Sequence, residues 1–193
     1  MNLARSLRDT NTVFKICVLV NINHTTNPTH DSLKELYDDV ILVEDIQMAG
    51  LPNHSPMREL NHPAPWLTKV FLWALTQHSR ILFLKHDAFV PGNLDQVLAY
   101  RPDIPFAAVP ELANSDRFNS GVMLLNPHKG TFNALKQLGL GKDEVYGGDQ
   151  DLLNDYFCKR LAIEGEEMEE GEEETAARRG WFPLEMGVNP ELR

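Results

Sequence analysis

Short, mostly apolar runs alternate with amphipathic segments along this chain. An apolar run is typical of a strand covered on both faces, and apolar residues recurring every third or fourth position are typical of a helix. The predicted strands cover residues 13–20, 40–43, 81–84, 106–109 and 121–125. The predicted helices cover residues 31–37, 67–77 and 127–139, and a last helix begins at Asp149. This order predicts one α/β domain over residues 1–193, with a mostly parallel central sheet.

The negative charge of the chain is concentrated in one segment. The formal net charge is −10, but residues 164–174 contain eight glutamates and no basic residue, so the remainder has a net charge of only −2. Such an acidic run cannot bury enough apolar surface to fold, and residues 164–180 are therefore predicted to form a disordered insertion. The overall charge also argues against a nucleic-acid partner, because phosphate binding requires clustered cations.

Cysteine content and hydropathy favour a cytoplasmic protein. Cys17 lies in an apolar run and Cys158 on a predicted helix, and both are predicted to be free thiols packed in the core. The first residues contain no apolar run of signal-peptide length, and no other run approaches the length of a membrane span.

Three polar residues, Lys85, His86 and Asp87, follow the strand predicted over residues 81–84. In open α/β sheets, ligands bind at the carboxyl ends of the strands. An acid at this position could hold a divalent metal ion that neutralises a diphosphate, and His86 could be a further ligand. The alternative is an ordinary solvated loop, in which both side chains are surface residues.

Polar residues also precede the strand predicted over residues 121–125. Asn119 and Ser120 could hydrogen-bond a polyol, or they could form a turn with Gly121, which is the interpretation that their chemistry favours. Lys69, near the beginning of the helix over residues 67–77, could be a solvated lysine or could reach a diphosphate as a point charge.

The segment Gly147-Gly148-Asp149-Gln150 predicts a tight turn into the last helix. Two glycines would let a ligand approach the backbone closely. Asp149 could cap the helix, or it could bind a sugar hydroxyl with Gln150 beside it. Capping by itself requires neither the two glycines nor the amide, so both interpretations stay open.

Taken together, these segments resemble the family 8 glycosyltransferases, and within them the glycogenin-like branch. The resemblance covers roughly residues 13–157 and rests on five blocks in the order of the family. The blocks are Leu67-Thr68-Lys69 with Trp73-Ala74-Leu75-Thr76-Gln77, Phe83-Leu84-x-x-Asp87, Asn93-Leu94-Asp95, Phe118-Asn119-Ser120-Gly121-Val122 and Gly147-Gly148-Asp149-Gln150-x-Leu152-Leu153-Asn154.

The resemblance implies a GT-A fold, which is a Rossmann-like nucleotide-diphosphosugar transferase fold. It further implies a UDP-sugar donor, a Mn²⁺ ion and transfer of a hexose with retention of configuration. By position in the motifs, it implies that Asp87 is a metal ligand and that Lys69 faces the donor phosphate or sugar. Substrate-binding positions would be Asn119, Ser120, Gly147 and Gly148, and Asp149 and Gln150 would lie beneath the sugar, close to the reacting carbon.

The chain departs from the pattern of the family at the metal motif and at both termini. Lys85 stands at the first acid of the Asp-x-Asp motif, so a metal would meet one carboxylate beside a cation that repels it. One hypothesis is that Lys85 pairs with the diphosphate directly. The first strand of the family and its late His-Phe-x-Gly segment have no counterpart, so the fold is expected to be incomplete at the N- and C-termini.

The five family-like blocks, together with the altered metal motif, are compatible with two functions. The first is a hexosyltransferase that uses a UDP-sugar and an unknown acceptor. The alternative is a catalytically impaired relative that acts as a sugar- or protein-binding module, which the lysine at position 85 favours. A sheet that lacks a strand also exposes an edge, and self-association through this edge is expected.

Overall fold

The computed structural model describes residues 2–25, 27–46, 65–140, 146–160 and 180–184. Its strands are β1 (Cys17–Asn21), β2 (Asp39–Val43), β3 (Ile81–Leu84), β4 (Phe106–Glu111), β5 (Asn114–Leu125) and β6 (Phe182–Pro183). Its α-helices are α1 (Asn2–Asp9), α2 (Asn27–Lys34), α3 (Asp95–Leu98), α4 (Lys129–Gly139) and α5 (Asp149–Asn154). Two 3-10 helices cover Ile22–His24 and Pro65–Ala74, and a π-helical segment, Asp155–Arg160, continues α5.

The strands form two sheets in the described part of the chain. Strands β1 and β2 pair in parallel, as expected for a strand, helix and strand in succession. The second sheet has the order β3-β5-β4-β6, in which β5 is antiparallel to both β3 and β4, and β6 is parallel to β4. The predicted α/β class is thus confirmed, but parallel and antiparallel pairings are equally common, so the sheets are more mixed than the predicted mostly parallel one.

The 3-10 helix Pro65–Ala74 replaces the α-helix predicted over residues 67–77. Leu67, Val70 and Trp73 are each at most 1% exposed, and they recur at intervals of three residues. This spacing matches the three residues per turn of a 3-10 helix, which places all three side chains on one line. The face of this helix that carries these three side chains is therefore buried in the core.

Aromatic rings fill the main core between this 3-10 helix, the second sheet and α5. Phe106 and Phe157 stack with their ring centroids 4.1 Å apart, and Phe118 meets Trp181 at 5.2 Å. Offset and edge contacts of this kind stabilise a core by about 0.5–1.5 kcal/mol per pair beyond the burial of their area. The core anchors β4, β5 and α5 to one another, which fixes the side chains above it.

Several predicted boundaries differ from the observed ones. Strand β1 begins at Cys17 rather than at residue 13, and Val13 is 84% exposed. Helix α2 begins at Asn27 rather than near Asp31. The predicted acidic insertion, apart from Gly180, lies outside the described residues. Among the described helices, none combines the length and the apolar character that crossing a membrane requires.

Candidate functional site

Four segments that are distant in sequence meet above the aromatic core: the 3-10 helix Pro65–Ala74, the end of β3, the middle of β5 and the start of α5. Lys69 projects from the 3-10 helix, and its ammonium lies 5.1 Å from the ring centroid of Phe83 on β3. A cation over an aromatic face is attracted to the electrons of the ring. Phe83 thus forms one wall around the lysine.

The ammonium of Lys69 makes three polar contacts. It donates to the backbone oxygen and to the hydroxyl of Ser120, each at 3.0 Å, and it forms an ion pair with Asp149. The Ser120 hydroxyl donates in turn to the Asp149 carboxylate at 2.9 Å. The Lys69 and Asp149 side chains are 13% and 25% exposed. The solvated-lysine alternative is therefore wrong for Lys69, which belongs to a closed polar triad.

Asn119 and Ser120 lie within strand β5, so the turn interpretation of these residues is wrong. Pairing with β4 slips here: Ala108 faces Met123, whereas the next residue, Val109, faces Asn119. The bulge places extra β5 residues opposite one step of β4, and bulges of this kind re-aim side chains beside active sites. Ser120 is buried, whereas Asn119 is exposed and accepts a hydrogen bond from the backbone N–H of Gly121 at 2.8 Å.

Asp149 does not cap the last helix, so the capping interpretation is wrong. It is the first residue of α5, the N-cap is Gly148, and no side chain supplies a capping hydrogen bond. The carboxylate is committed to Lys69 and Ser120 instead. Gly148 has an extended backbone with a φ of 173°, which any residue can adopt, and a Cβ added there would meet no atom within 4 Å among the described residues. Among the described residues, open space thus lies beside the residue that precedes Asp149.

Gln150 and Asn154 tie α5 to strand β5. The side-chain oxygen of Gln150 accepts from the backbone N–H of Ser120 at 3.2 Å. Asn154 is 4% exposed, donates to the carbonyl of Phe118 at 2.9 Å and accepts from its N–H at 3.0 Å. Asn154 belongs to one of the family-like blocks but is not among the predicted site residues. The sequence does contain a signal for Asn154, because this residue directly follows the apolar Leu152 and Leu153 of the last helix. An amide that is buried beside them needs hydrogen-bond partners.

Lys85 and Asp87 form a separate ion pair at the end of β3. Their charged atoms are 2.9 Å apart, and the side chains are 53% and 58% exposed. The hydrogen bond between them is the main cause that raises the pKa of Lys85 and lowers the pKa of Asp87, and the charge of Asp149 also raises the pKa of Lys85. Asp149 therefore acts electrostatically on both lysines.

A second polar cluster, not anticipated from the sequence, adjoins Lys69. The Asn21 amide at the end of β1 donates to the Asp45 carboxylate at 2.8 Å and to the Thr68 hydroxyl at 3.0 Å. His24 lies 3.2 Å from the same carboxylate. Thr68 precedes Lys69, so these contacts connect the first sheet to the residue beside the triad. Only the tertiary fold brings these residues together, so no sequence spacing indicates the cluster.

The arrangement offers charge and hydrogen bonds rather than a ready metal site. Among the described residues, no group of three or more histidine, cysteine, aspartate or glutamate side chains could hold a metal ion. Cys17 is a free thiol, as predicted, but both Cys17 and Cys158 are only half-buried rather than packed fully in the core. The ammonium groups of Lys69 and Lys85, each paired with a carboxylate, are suited instead to an anionic and hydroxyl-rich ligand.

The sequence is similar to several glycogenins over most of its length. It is 34% identical to Glycogenin-1 of Caenorhabditis elegans over 157 residues, which make up 80% of this chain and 35% of that protein. It is 35% identical to Glycogenin of Neurospora crassa and 33% identical to Glycogenin-1 of Mus musculus, again over 80% of this chain, but over 22% and 45% of those proteins. The chain thus spans less than half the length of these relatives. No family model matches the sequence.

Proposed function

We propose that this chain, which is similar to glycogenins over 80% of its length, is a glycogenin-like glycosyltransferase that binds a UDP-sugar and transfers the hexose to an acceptor with retention of configuration. The family 8 assignment, the GT-A details of the fold and a cytoplasmic location are parts of the same proposal. The observation that carries it is the triad of Lys69, Ser120 and Asp149, with Gln150 hydrogen-bonded beside it. The residues of this triad come from three of the five blocks that resemble the family.

The residues of the triad suit the charges that develop during such a transfer. Departure of UDP leaves negative charge on the diphosphate and positive charge at the anomeric carbon of the sugar. Fixed groups that oppose these charges stabilise the transition state more than they stabilise the bound donor. In the proposed complex, the Lys69 ammonium faces the diphosphate, and the Asp149 carboxylate and the Gln150 amide lie on the sugar side.

Hydrogen bonds to the backbone prepare these side chains for their roles. Gln150 is oriented by the N–H of Ser120, and Ser120 is fixed in the bulge of β5. Groups that are already oriented lose little freedom when the donor binds, which favours a productive geometry. Asn119, Gly147 and Gly148 complete the proposed substrate-binding surface, since Asn119 is exposed and the space next to Gly148 is open.

The Mn²⁺ ion implied by the resemblance does not fit the residues around Asp87. This carboxylate is paired with Lys85 at 2.9 Å, and no cluster of metal-binding side chains surrounds it in the described part of the chain. A divalent cation there would have to displace or repel the ammonium. No step of the proposed transfer is therefore assigned to a metal ion.

A second candidate function is a module that binds a sugar or a protein without turnover. The observation that favours it is the Lys85–Asp87 pair, in which a lysine stands at the first of the two acids of the motif and binds the second. The two functions share the site but differ in whether the bound donor is cleaved. Calorimetric titration with UDP tests the site itself, and release of UDP from a panel of UDP-hexoses tests turnover.

If the chain is a hexosyltransferase, UDP should bind, and Asp149→Asn should lower the rate of UDP release by at least about tenfold. This corresponds to an increase of roughly 1.4 kcal/mol in the activation barrier. The matched control is Asp151→Asn, two residues along the same helix, where the side chain is 50% exposed and is paired with Arg117. UDP binding without any release would favour the binding module. Absence of UDP binding under all conditions would refute the proposed donor site.

A further inference from the structure

We propose that the ammonium of Lys85, in place of a divalent metal ion, neutralises the donor diphosphate in this site, and that Asp87 is the internal counter-ion which the diphosphate displaces. This inference rests on the proposed function, since it concerns how the same site holds UDP. It assigns separate roles to two residues of the altered motif. Lys85 is the anion-binding group, and Asp87 is its competitor.

The backbone fixes the base of the Lys85 side chain beside the triad. Lys85 follows β3 directly, and its N–H donates to the carbonyl of Gly121 at 2.8 Å. Gly121 in turn follows Ser120, whose hydroxyl contacts both Lys69 and Asp149. A Cβ built on Gly121 would lie 3.9 Å from the Cβ of Lys85, so the two residues are in close lateral contact. The backbone of Lys85 is thus held beside Gly121, which is the sequence neighbour of Ser120 in the proposed donor site.

The charges among these residues already balance without a metal ion. Lys69 is matched by Asp149, and Lys85 is matched by Asp87. A metal site built from carboxylates carries excess negative charge, which the ion compensates. Here a divalent ion would add two positive charges to a neutral set of residues. A diphosphate, by contrast, can draw on two ammonium groups, which are effective phosphate ligands as point charges.

The pair at the end of β3 is also built to exchange partners. Both side chains are more than half exposed, so little is lost when their mutual contact breaks, because exposed ion pairs contribute little stability. A diphosphate carries more charge than one carboxylate and therefore competes well for the ammonium. Lys85 has a flexible stem that can turn away from Asp87 while its backbone hydrogen bond to Gly121 stays in place.

The test is calorimetric titration of the whole chain with UDP, once in the presence of a chelator and once with Mn²⁺. The wild-type affinities are expected to agree within about twofold. Lys85→Met should weaken metal-free binding by at least about tenfold, and Lys85→Arg should retain most of it. Asp87→Asn should tighten metal-free binding, since it removes the competitor but keeps the size of the side chain. The matched control is Lys129→Met, an exposed lysine at the first position of α4.

The variants separate the possible outcomes. Mn²⁺-dependent UDP binding by the wild type, or loss of binding in Asp87→Asn, would overturn the inference and leave the proposed donor site intact. Binding of Mn²⁺ itself, followed by its electron paramagnetic resonance signal, should be undetectable for the wild type and should appear in Lys85→Asp. A bound Mn²⁺ signal in the wild type with UDP would likewise overturn the inference. Absence of UDP binding in every condition would refute the proposed function, and the inference with it.

Discussion

Lys69 and Asp149 are separated by 80 positions in sequence, yet they form an ion pair that is largely shielded from water. The contact joins the 3-10 helix Pro65–Ala74 to the start of α5 and encloses the hydroxyl of Ser120. Partly buried charges of this kind stabilise a fold only as long as both partners are present. The pair is therefore a feature of stability and of the proposed site at the same time.

Removal of one partner of this pair is expected to destabilise the fold. Lys69→Met leaves Asp149 without its counter-charge, and the free energy of unfolding should fall by roughly 2–3 kcal/mol. The double variant Lys69→Met with Asp149→Asn should regain part of this loss, because no charge is left unpaired. Urea denaturation measures both variants.

The control for this prediction is the exposed pair of Lys34 and Asp31, whose side chains are 67% and 77% exposed. Lys34→Met should change the free energy of unfolding by less than about 0.5 kcal/mol, since water screens such a pair. Equal effects of Lys69→Met and Lys34→Met would show that shielding of the Lys69–Asp149 pair does not matter.

Gly148 offers a way to separate folding from ligand binding. A methyl group there would meet no described atom within 4 Å, and the φ of 173° suits any residue. Gly148→Ala should therefore leave thermal stability nearly unchanged but weaken binding of a UDP-sugar by at least about tenfold, because the methyl group would occupy the space proposed for the donor. Calorimetry with the UDP-sugar and thermal unfolding without it provide the two measurements. A variant that binds as well as the wild type would place the donor elsewhere.

The sequence predicts the candidate residues of the site better than it predicts their contacts. Lys69, Ser120, Asp149 and Gln150 are all among the predicted site residues, because motif resemblance marks residue types at fixed places. Their mutual contacts arise from long-range packing, which spacing along one chain does not encode. The turn predicted at Ser120 is wrong for the same reason, since only pairing with β4 shows that residue to be in a bulged strand.

Some features of the fold were likewise predictable from the sequence, whereas others were not. The continuous apolar run of Ile81–Leu84 defines β3 to the residue, but its antiparallel partner β5 does not follow from hydrophobicity alone. The residues at 67, 70 and 73 fit an α-helix and a 3-10 helix almost equally well by pattern. The tighter helix is visible only when the burial of these three positions is compared in the structure.

Asp38 is expected to make stability depend on pH at the acidic end. Its carboxylate accepts from Arg8 of α1 at 2.8 Å and from the N–H of Ile16 at 2.7 Å. The hydrogen bond from Arg8 is the largest cause that holds the pKa of Asp38 below its ordinary value. A lowered pKa means that the folded state favours the carboxylate, so this stabilisation is complete above the unfolded-state pKa of about 3.9 and is lost as the pH falls through the folded-state pKa.

Asp38→Asn should therefore cost roughly 1 kcal/mol of the free energy of unfolding at neutral pH, a modest value because the pair is about a third exposed or more. The difference from the wild type should shrink as the pH falls below about 4. Urea denaturation across this pH range is the measurement. A constant difference at every pH would mean that the charge of Asp38 is not what joins α1 to β1.

The strands β1 and β3 lead to the last prediction, because each pairs with only one neighbour in the described part of the chain. The sequence predicts β3 to be buried, yet all four of its apolar residues are partly exposed. An edge strand with apolar side chains is a template for pairing with another chain. We therefore expect self-association that grows with protein concentration, measured by size-exclusion chromatography with light scattering.

A pair of variants tests this prediction. Val18→Lys on β1 should shift the equilibrium towards the monomer, because a charged edge strand opposes pairing. Val13→Lys, at an exposed position before the strand, should leave the equilibrium unchanged. A wild-type monomer at all concentrations would exclude association through these edges.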